Sequence, residues 1–113
     1  MSNIITGDGN NNTLPGTAGD DDIYGYFGND TLTGLGGNDT LYGGMGGDSL
    51  DGGNGVDTAS YASSSAGVWV SLAGGGYGYF GEAQGDRLYN IENLTGSSFE
   101  DTLIGNEGVN GGF

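Results

Sequence analysis

The sequence predicts an all-β protein made of stacked turn-and-strand units, and three observations carry that prediction. A nine-residue pattern runs in unbroken phase from residue 7 to residue 60. Each unit supplies one aliphatic residue, at a fixed place, to face inward. No segment has convincing helical periodicity.

The units read GDGNNNTLP (7–15), GTAGDDDIY (16–24), GYFGNDTLT (25–33), GLGGNDTLY (34–42), GGMGGDSLD (43–51) and GGNGVDTAS (52–60). Every unit opens with glycine. From the second unit onward position 4 is also glycine and position 6 is aspartate. Position 8 lies between residues that face outward, which is the pattern of a three-residue strand. The six residues before it must reverse the chain, and glycine at positions 1 and 4 is expected to take up positive φ there. Two units then make one coil, with strands on opposite sides. Leu14, Ile23, Leu32, Leu41 and Leu50 point inward between two thin sheets.

A looser block follows the regular one. GEAQGDRLY (81–89) keeps Gly81, Asp86 and Leu88, and GSSFEDTLI (96–104) keeps Gly96, Asp101 and Leu103. GNEGVNGGF (105–113) keeps Gly105 and Gly108 and then loses the aliphatic. Residues 61–80 break the phase: 67–72 alternate and predict a strand, and the glycine-aromatic stretch 74–81 predicts a loop. Ile91 and Leu94 are expected to cap or continue the core, and Trp69 to be a core or end-cap residue covering the last coil. The organisation expected is a first block over 1–60, an inter-block strand and loop over 61–80, and a second, partial block over 81–113, all in one continuous solenoid domain.

Fifteen acidic residues against a single base, Arg87, give a formal net charge of -14. Such a chain repels nucleic-acid phosphates and anionic membranes, so neither is expected as a partner. No apolar run approaches the ~20 residues that span a bilayer, and the segment Met1–Ile5 lacks the pattern of a secretory signal peptide. With 34% hydrophobic residues, a chain this short has little apolar surface to set against its ordering entropy. Disorder, or folding conditional on a ligand, is the expectation from composition.

Stacking sets like turns about 4.8 Å apart. One edge aligns Asn12, Asp30 and Asp48, and the other aligns Asp21, Asp39 and Asp57. Bare carboxylates that close repel by about 4 kcal/mol per pair at an effective dielectric of 20. A hard divalent cation between turns reverses the sign. Calcium accepts six to eight oxygens in flexible geometry, whereas magnesium keeps its waters. The chain has neither His nor Cys, which disfavours zinc. Several Ca²⁺ ions are therefore expected: four inter-turn sites in the first block if Asn12 contributes, three if it does not.

Other readings of the same residues are weaker. Asp8–Asn12 mimics the opening of an EF-hand loop, but Thr13 stands where that loop needs glycine and Gly19 where it needs glutamate. Gly76–Gly81 matches GxGxxG with no helix to follow. The Asn-x-Thr triplets at Asn11, Asn29, Asn38 and Asn93 overlap the repeat and read as its by-products.

The pattern GGxGxDxUx resembles the RTX (hemolysin-type calcium-binding, glycine-rich nonapeptide repeat) family, directly over 7–60 and in part over 81–104. The resemblance implies a calcium-stapled parallel β-roll, a β-solenoid of nonapeptide repeats. It assigns carboxylate ligands to Asp21, Asp30, Asp39, Asp48 and Asp57. Carbonyl ligands would come from the turn glycines Gly16, Gly19, Gly25, Gly28, Gly34, Gly37, Gly43, Gly46, Gly52 and Gly55. Asn12, Asp86 and Asp101 are further candidate ligands at positions that depart from the pattern: Asn12 weakens a first site, Asp86 lacks glycine at position 4, and Phe99 replaces glycine near Asp101. The resemblance also implies a bacterial protein exported by type I secretion, secreted or at the cell surface, folding on extracellular calcium. Without His, Cys or Lys, and with its carboxylates committed to turns, the chain is not expected to be an enzyme. The alternative is an adhesion or polysaccharide-binding module with structural calcium. Tyr24 and Tyr42, expected to stack on one outer face, and the 77–80 aromatics would be its surface.

Overall fold

The computed structural model describes residues 3–72 and 76–104. Its strands in chain order are β1 (Asn3–Thr6), β2 (Thr13–Pro15), β3 (Asp21–Tyr24), β4 (Thr31–Thr33), β5 (Thr40–Tyr42), β6 (Ser49–Asp51), β7 (Thr58–Ser60), β8 (Trp69–Ser71), β9 (Tyr77–Tyr79), β10 (Arg87–Tyr89), β11 (Asn93–Thr95) and β12 (Thr102–Ile104). A 3₁₀ turn spans Gly81–Ala83. The partial repeat 105–113 and the glycines Gly74 and Gly75 lie outside the described residues.

Odd-numbered strands of the regular block form one sheet, in the order β1-β3-β5-β7-β11. Even-numbered ones join the other, β12-β8-β9-β10-β6-β4-β2. The register follows from the repeat. Ile5 pairs with Ile23, Ile23 with Leu41, and Leu41 with Ala59. On the opposite side Leu14, Leu32 and Leu50 align, and Leu88 continues the row. All these pairs are parallel and one coil apart. This is the β-roll expected from two nonapeptides per coil.

Ile23, Leu32, Leu41 and Leu50 are fully buried between the sheets. Each is worth about 2 kcal/mol of burial, and one such residue must hold nine ordered residues in place. The core widens after residue 60. Tyr61, Val68, Val70, Ala83, Ile91 and Leu94 are all buried in the same cluster.

Two expectations fail in this wider part. The stretch around Tyr77 is not a loop: β9 pairs antiparallel with β8 and with β10, the one interruption of parallel pairing among the described strands. Gly78 faces inward, where a side chain would strike Ala83, so Tyr77 and Tyr79 point out. Trp69 does not cover the core. Its neighbours Val68 and Val70 take the inward places, and alternation turns the indole outward against Tyr77 and Tyr79, with ring centroids 5.5 and 5.6 Å away. The 81–89 unit also differs from a regular turn. It makes its 3₁₀ turn first and only then delivers Asp86 and Leu88 to the roll.

Candidate metal centre

The position-6 aspartates immediately precede or begin the strands, so the register stacks them as it stacks the leucines. On one edge Asn12, Asp30, Asp48 and Asp86 form a column: the backbone N–H of each of the first three donates to Oδ1 of the next, at 2.7, 2.8 and 2.7 Å. On the other edge the N–H of Asp21 donates to Asp39 at 2.9 Å and that of Asp39 to Asp57 at 2.8 Å. The N–H of Asp57 then donates to Glu92 Oε1 at 2.8 Å. One oxygen of each aspartate is thus committed to the coil before it.

The second oxygen is the informative one. Oδ2 of Asp30, Asp39, Asp48 and Asp57 is buried and has no hydrogen-bond donor. These four residues are at most 1% exposed. Leaving one buried acceptor unanswered costs about 1–3 kcal/mol, and more when it is charged. Four in succession point to cations.

The glycines at position 1 show where a cation could sit. A methyl group on Gly25 would lie 2.6 Å from Asp30 Oδ2 and 2.7 Å from the carbonyl oxygen of Gly43, one coil on. On Gly34 it would collide with Asp39 Oδ2 and lie 2.7 Å from the Gly52 carbonyl oxygen. On Gly52 it would lie 2.6 Å from Asp57 Oδ2 and 2.5 Å from the Asn90 carbonyl oxygen. On Gly43 it would meet Asp48 Oδ2 at 2.6 Å. Position 1 is therefore glycine for space, because any side chain would fill a niche lined by oxygens. Gly16 repeats this crowding against Asp21 and Gly34.

This corrects the expected role of position 1, which in units 16–60 does not take up positive φ; among the described residues only Gly81, in the irregular unit 81–89, does so at 53°. The left-handed positions are 4 and 2. Gly28, Gly37, Gly46 and Gly55 have φ of 92, 81, 102 and 100°, and Gly19 does not join them. At position 2, Gly44 and Gly53 have φ of 77 and 76°, and Tyr26 and Leu35 adopt 66 and 68° despite their side chains. Position 5 carries a further, unforeseen column. Asn29 N–H donates to Asn11 Oδ1 and Asn38 N–H to Asp20 Oδ1, both at 2.7 Å. Gly47 and Val56 donate in turn to Asn29 and Asn38. The recurrence of Asn at position 5 was the available signal.

The remaining candidates are placed differently. Asn12 Oδ1 accepts from Asp8 N–H at 2.9 Å. Both oxygens of Asp21 are answered, by Thr17 N–H and hydroxyl and by Asn3. Asp86 lies in the column, with its second oxygen accepting from the buried Tyr61 hydroxyl at 2.8 Å. Asp101 is not brought to the others. It sits beside β8, accepting from Val68 N–H and the Ser97 hydroxyl. Glu92 was not foreseen, because the phase is broken there. Only the pairing of β11 with β7 puts it below Asp57.

Burial pushes Asp48 up to about 9, opposed by the Asp30 N–H and reinforced by the charges of Asp86, Asp30 and Glu82. Burial likewise lifts Asp86 to about 7, against the hydrogen bonds from Asp48 N–H and Tyr61. Asp30, Asp39 and Asp57 are also raised, with burial the first cause. In Asp21 burial acts in the same direction, but the bonds from Thr17 and Asn3 outweigh it and the carboxyl is lowered. The columns thus divide into one carboxylate at ease with its charge and several that are not.

Parallel coils, glycine niches lined by oxygens and donorless carboxylates define a repeat solenoid built around hard cations. The family comparison agrees. The profile of the RTX calcium-binding nonapeptide repeat matches in four copies, over residues 2–32, 24–59 and 90–110. The chain belongs to that family, whose repeats bind Ca²⁺. Tyr61, the β8–β9 hairpin and Asp86 lie between the matched segments. No curated protein matches the chain.

Proposed function

We propose that the chain is a calcium-responsive folding module, its metal held chiefly at the Asp30/Asp48 and Asp39/Asp57 steps. The observation that carries this is the set of four buried Oδ2 oxygens with no donor. Each ion would take carboxylate oxygens from successive coils and carbonyl oxygens of the turn glycines, the donor set calcium prefers. The ion supplies charge neutralisation and no chemistry. With its carboxylates so used, the module has no catalytic role of its own. Asn12 and Asp86 close one column, while Asp21 and Glu92 close the other, and residues 3–104 act as one cooperative domain. A ligand that binds only the folded state stabilises it by mass action. A chain of charge -14 then stays extended where calcium is scarce and folds where it is abundant. That property suits a bacterial protein passing unfolded through a type I channel to the outside.

Calcium titration by calorimetry, followed in parallel by far-UV circular dichroism, tests this. Several ions should bind with conversion from coil to strand. Strand signal that persists in chelator would defeat it.

One observation favours a second reading, an adhesion or glycan-binding surface. Tyr24 and Tyr42 stack with centroids 4.3 Å apart and planes within 4°, and they line a groove of 540 Å³ with Tyr26, Phe27, Met45 and Glu82. Binding to a polysaccharide panel that disappears in Tyr24→Ala/Tyr42→Ala supports that reading, and silence across the panel removes it.

A further inference from the structure

The turns of the roll fall into two kinds, and the residue at position 2 separates them. In units 7–15, 16–24 and 96–104 that residue is Asp8, Thr17 or Ser97. In each case its side-chain oxygen accepts the N–H of position 4: Asn10 to Asp8 at 2.8 Å, Gly19 to Thr17 at 3.1 Å, Phe99 to Ser97 at 3.0 Å. In each case position 2 also donates to the side chain at position 6. Asp8 N–H reaches Asn12 at 2.9 Å, and Thr17 N–H and hydroxyl reach Asp21 at 2.7 and 2.9 Å. The Ser97 hydroxyl reaches Asp101 at 2.6 Å. These turns are closed by their own hydrogen bonds.

In units 25–33, 34–42, 43–51 and 52–60, position 2 is Tyr26, Leu35, Gly44 or Gly53, and all four are left-handed. The N–H of Gly53 turns back to Asp51 Oδ1 at 3.0 Å instead of reaching Asp57. The aspartates of these four units are the four with a buried, donorless Oδ2. Every open turn has a buried carboxylate oxygen without a donor, and among the described residues no closed turn has one.

We propose that position 2 decides which turns take calcium: a hydroxyl or carboxylate side chain there satisfies the turn without metal, and a left-handed residue without one opens it to the ion. This rests on the calcium reading above. The physical reason is competition for one oxygen. The closed conformation gives the position-6 side chain a donor from within its own turn, so a cation would have to displace it. Glycine makes the left-handed alternative cheap, whereas a β-branched residue resists it. The first two turns, 7–12 and 16–21, then form a metal-free end on which the calcium-loaded coils stack.

The test counts ions at saturating calcium by equilibrium dialysis, with circular dichroism reporting the fold, in the wild type and two variants. Thr17→Gly should open the second turn and raise the count by one. Leu35→Thr, at an exposed position, should close the fourth turn and lower the count by one. A folded variant of either kind that binds the same number of ions as the wild type overturns the proposal. Should Thr17→Gly fail to fold, Leu35→Thr alone decides. A wild type that binds no calcium at all defeats the calcium reading itself, whereas unchanged variant counts on a binding wild type defeat only the assignment of position 2.

Discussion

The regular coils 25–60 and the junction 61–92 hold their carboxylates in place by different means. In the regular coils every position-6 aspartate has one oxygen on a backbone N–H and one buried with no donor. At the junction, Asp86 gives its second oxygen to the Tyr61 hydroxyl. Apolar packing also differs. The regular coils bury one aliphatic per nine residues, and the junction adds Tyr61, Val68, Val70, Ala83 and Ile91. On the calcium reading proposed above, the repeat would take from an ion what the junction obtains from a side-chain donor and a larger core. In the regular coils position 2, which supplies a donor to the position-6 side chain in the turns of Thr17 and Ser97, is left-handed.

Proton linkage should break the two states of the roll apart most strongly, because several carboxylates respond together. Asp48 is raised by burial from 3.8 to about 9, so the metal-free fold binds a proton that the unfolded chain releases. Its contribution is fully present below the unfolded value and lost as pH rises through the folded one. Asp86, raised to about 7, acts in the same direction. In chelator, acidification from pH 9 towards 4 should therefore increase strand signal. At limiting calcium the sign reverses, since protons compete with the cation for the same oxygens. Asp21, with its lowered value, opposes the first trend and is lost only as pH falls through its folded value. Circular dichroism against pH, with and without calcium, reads both slopes, and equal slopes would remove the division.

A single change inside the regular coils comes next. Asp39→Asn keeps the shape and removes the charge at the centre of its column. A hydrogen bond or contact to a charged group is worth on the order of 1.5–3 kcal/mol, which is about tenfold or more in an equilibrium constant. The calcium concentration at the folding midpoint should rise by about that factor. A midpoint that does not move would mean that Asp39 is no ligand.

The smallest effect belongs to the junction. Tyr61→Phe leaves Asp86 Oδ2 without its donor, at a cost of about 1–3 kcal/mol. The melting temperature should fall by several degrees with the number of bound ions unchanged. A loss of ions would show that the junction carries metal in the way the coils do.

Much of this was legible beforehand because a period of nine, taken twice, repeats every coil. Once Leu32 and Leu50 face inward, Asp30 and Asp48 must stack, whereas the crowding that makes position 1 glycine appeared only in the structure. The junction was less legible. Tyr77, Gly78 and Tyr79 alternate as a strand does, but the glycines on either side spoke for a loop. Pairing with β8 and β10 decided the matter. Glu92 falls outside any repeat phase and reaches Asp57 only through the β11–β7 register. Trp69 was misplaced because its size suggested the core, whereas Val68 and Val70 had already taken both inward places.

By itself the sequence determined the coil, the two columns of acids and the match to a calcium-binding repeat, since all three follow from local spacing repeated without interruption. Tertiary structure alone decided which carboxylates keep an unanswered oxygen. That depends on the hand of the backbone at position 2, which places or removes a donor such as Thr17 within the turn, and on whether a distant donor, Asn3 or Tyr61, comes within reach.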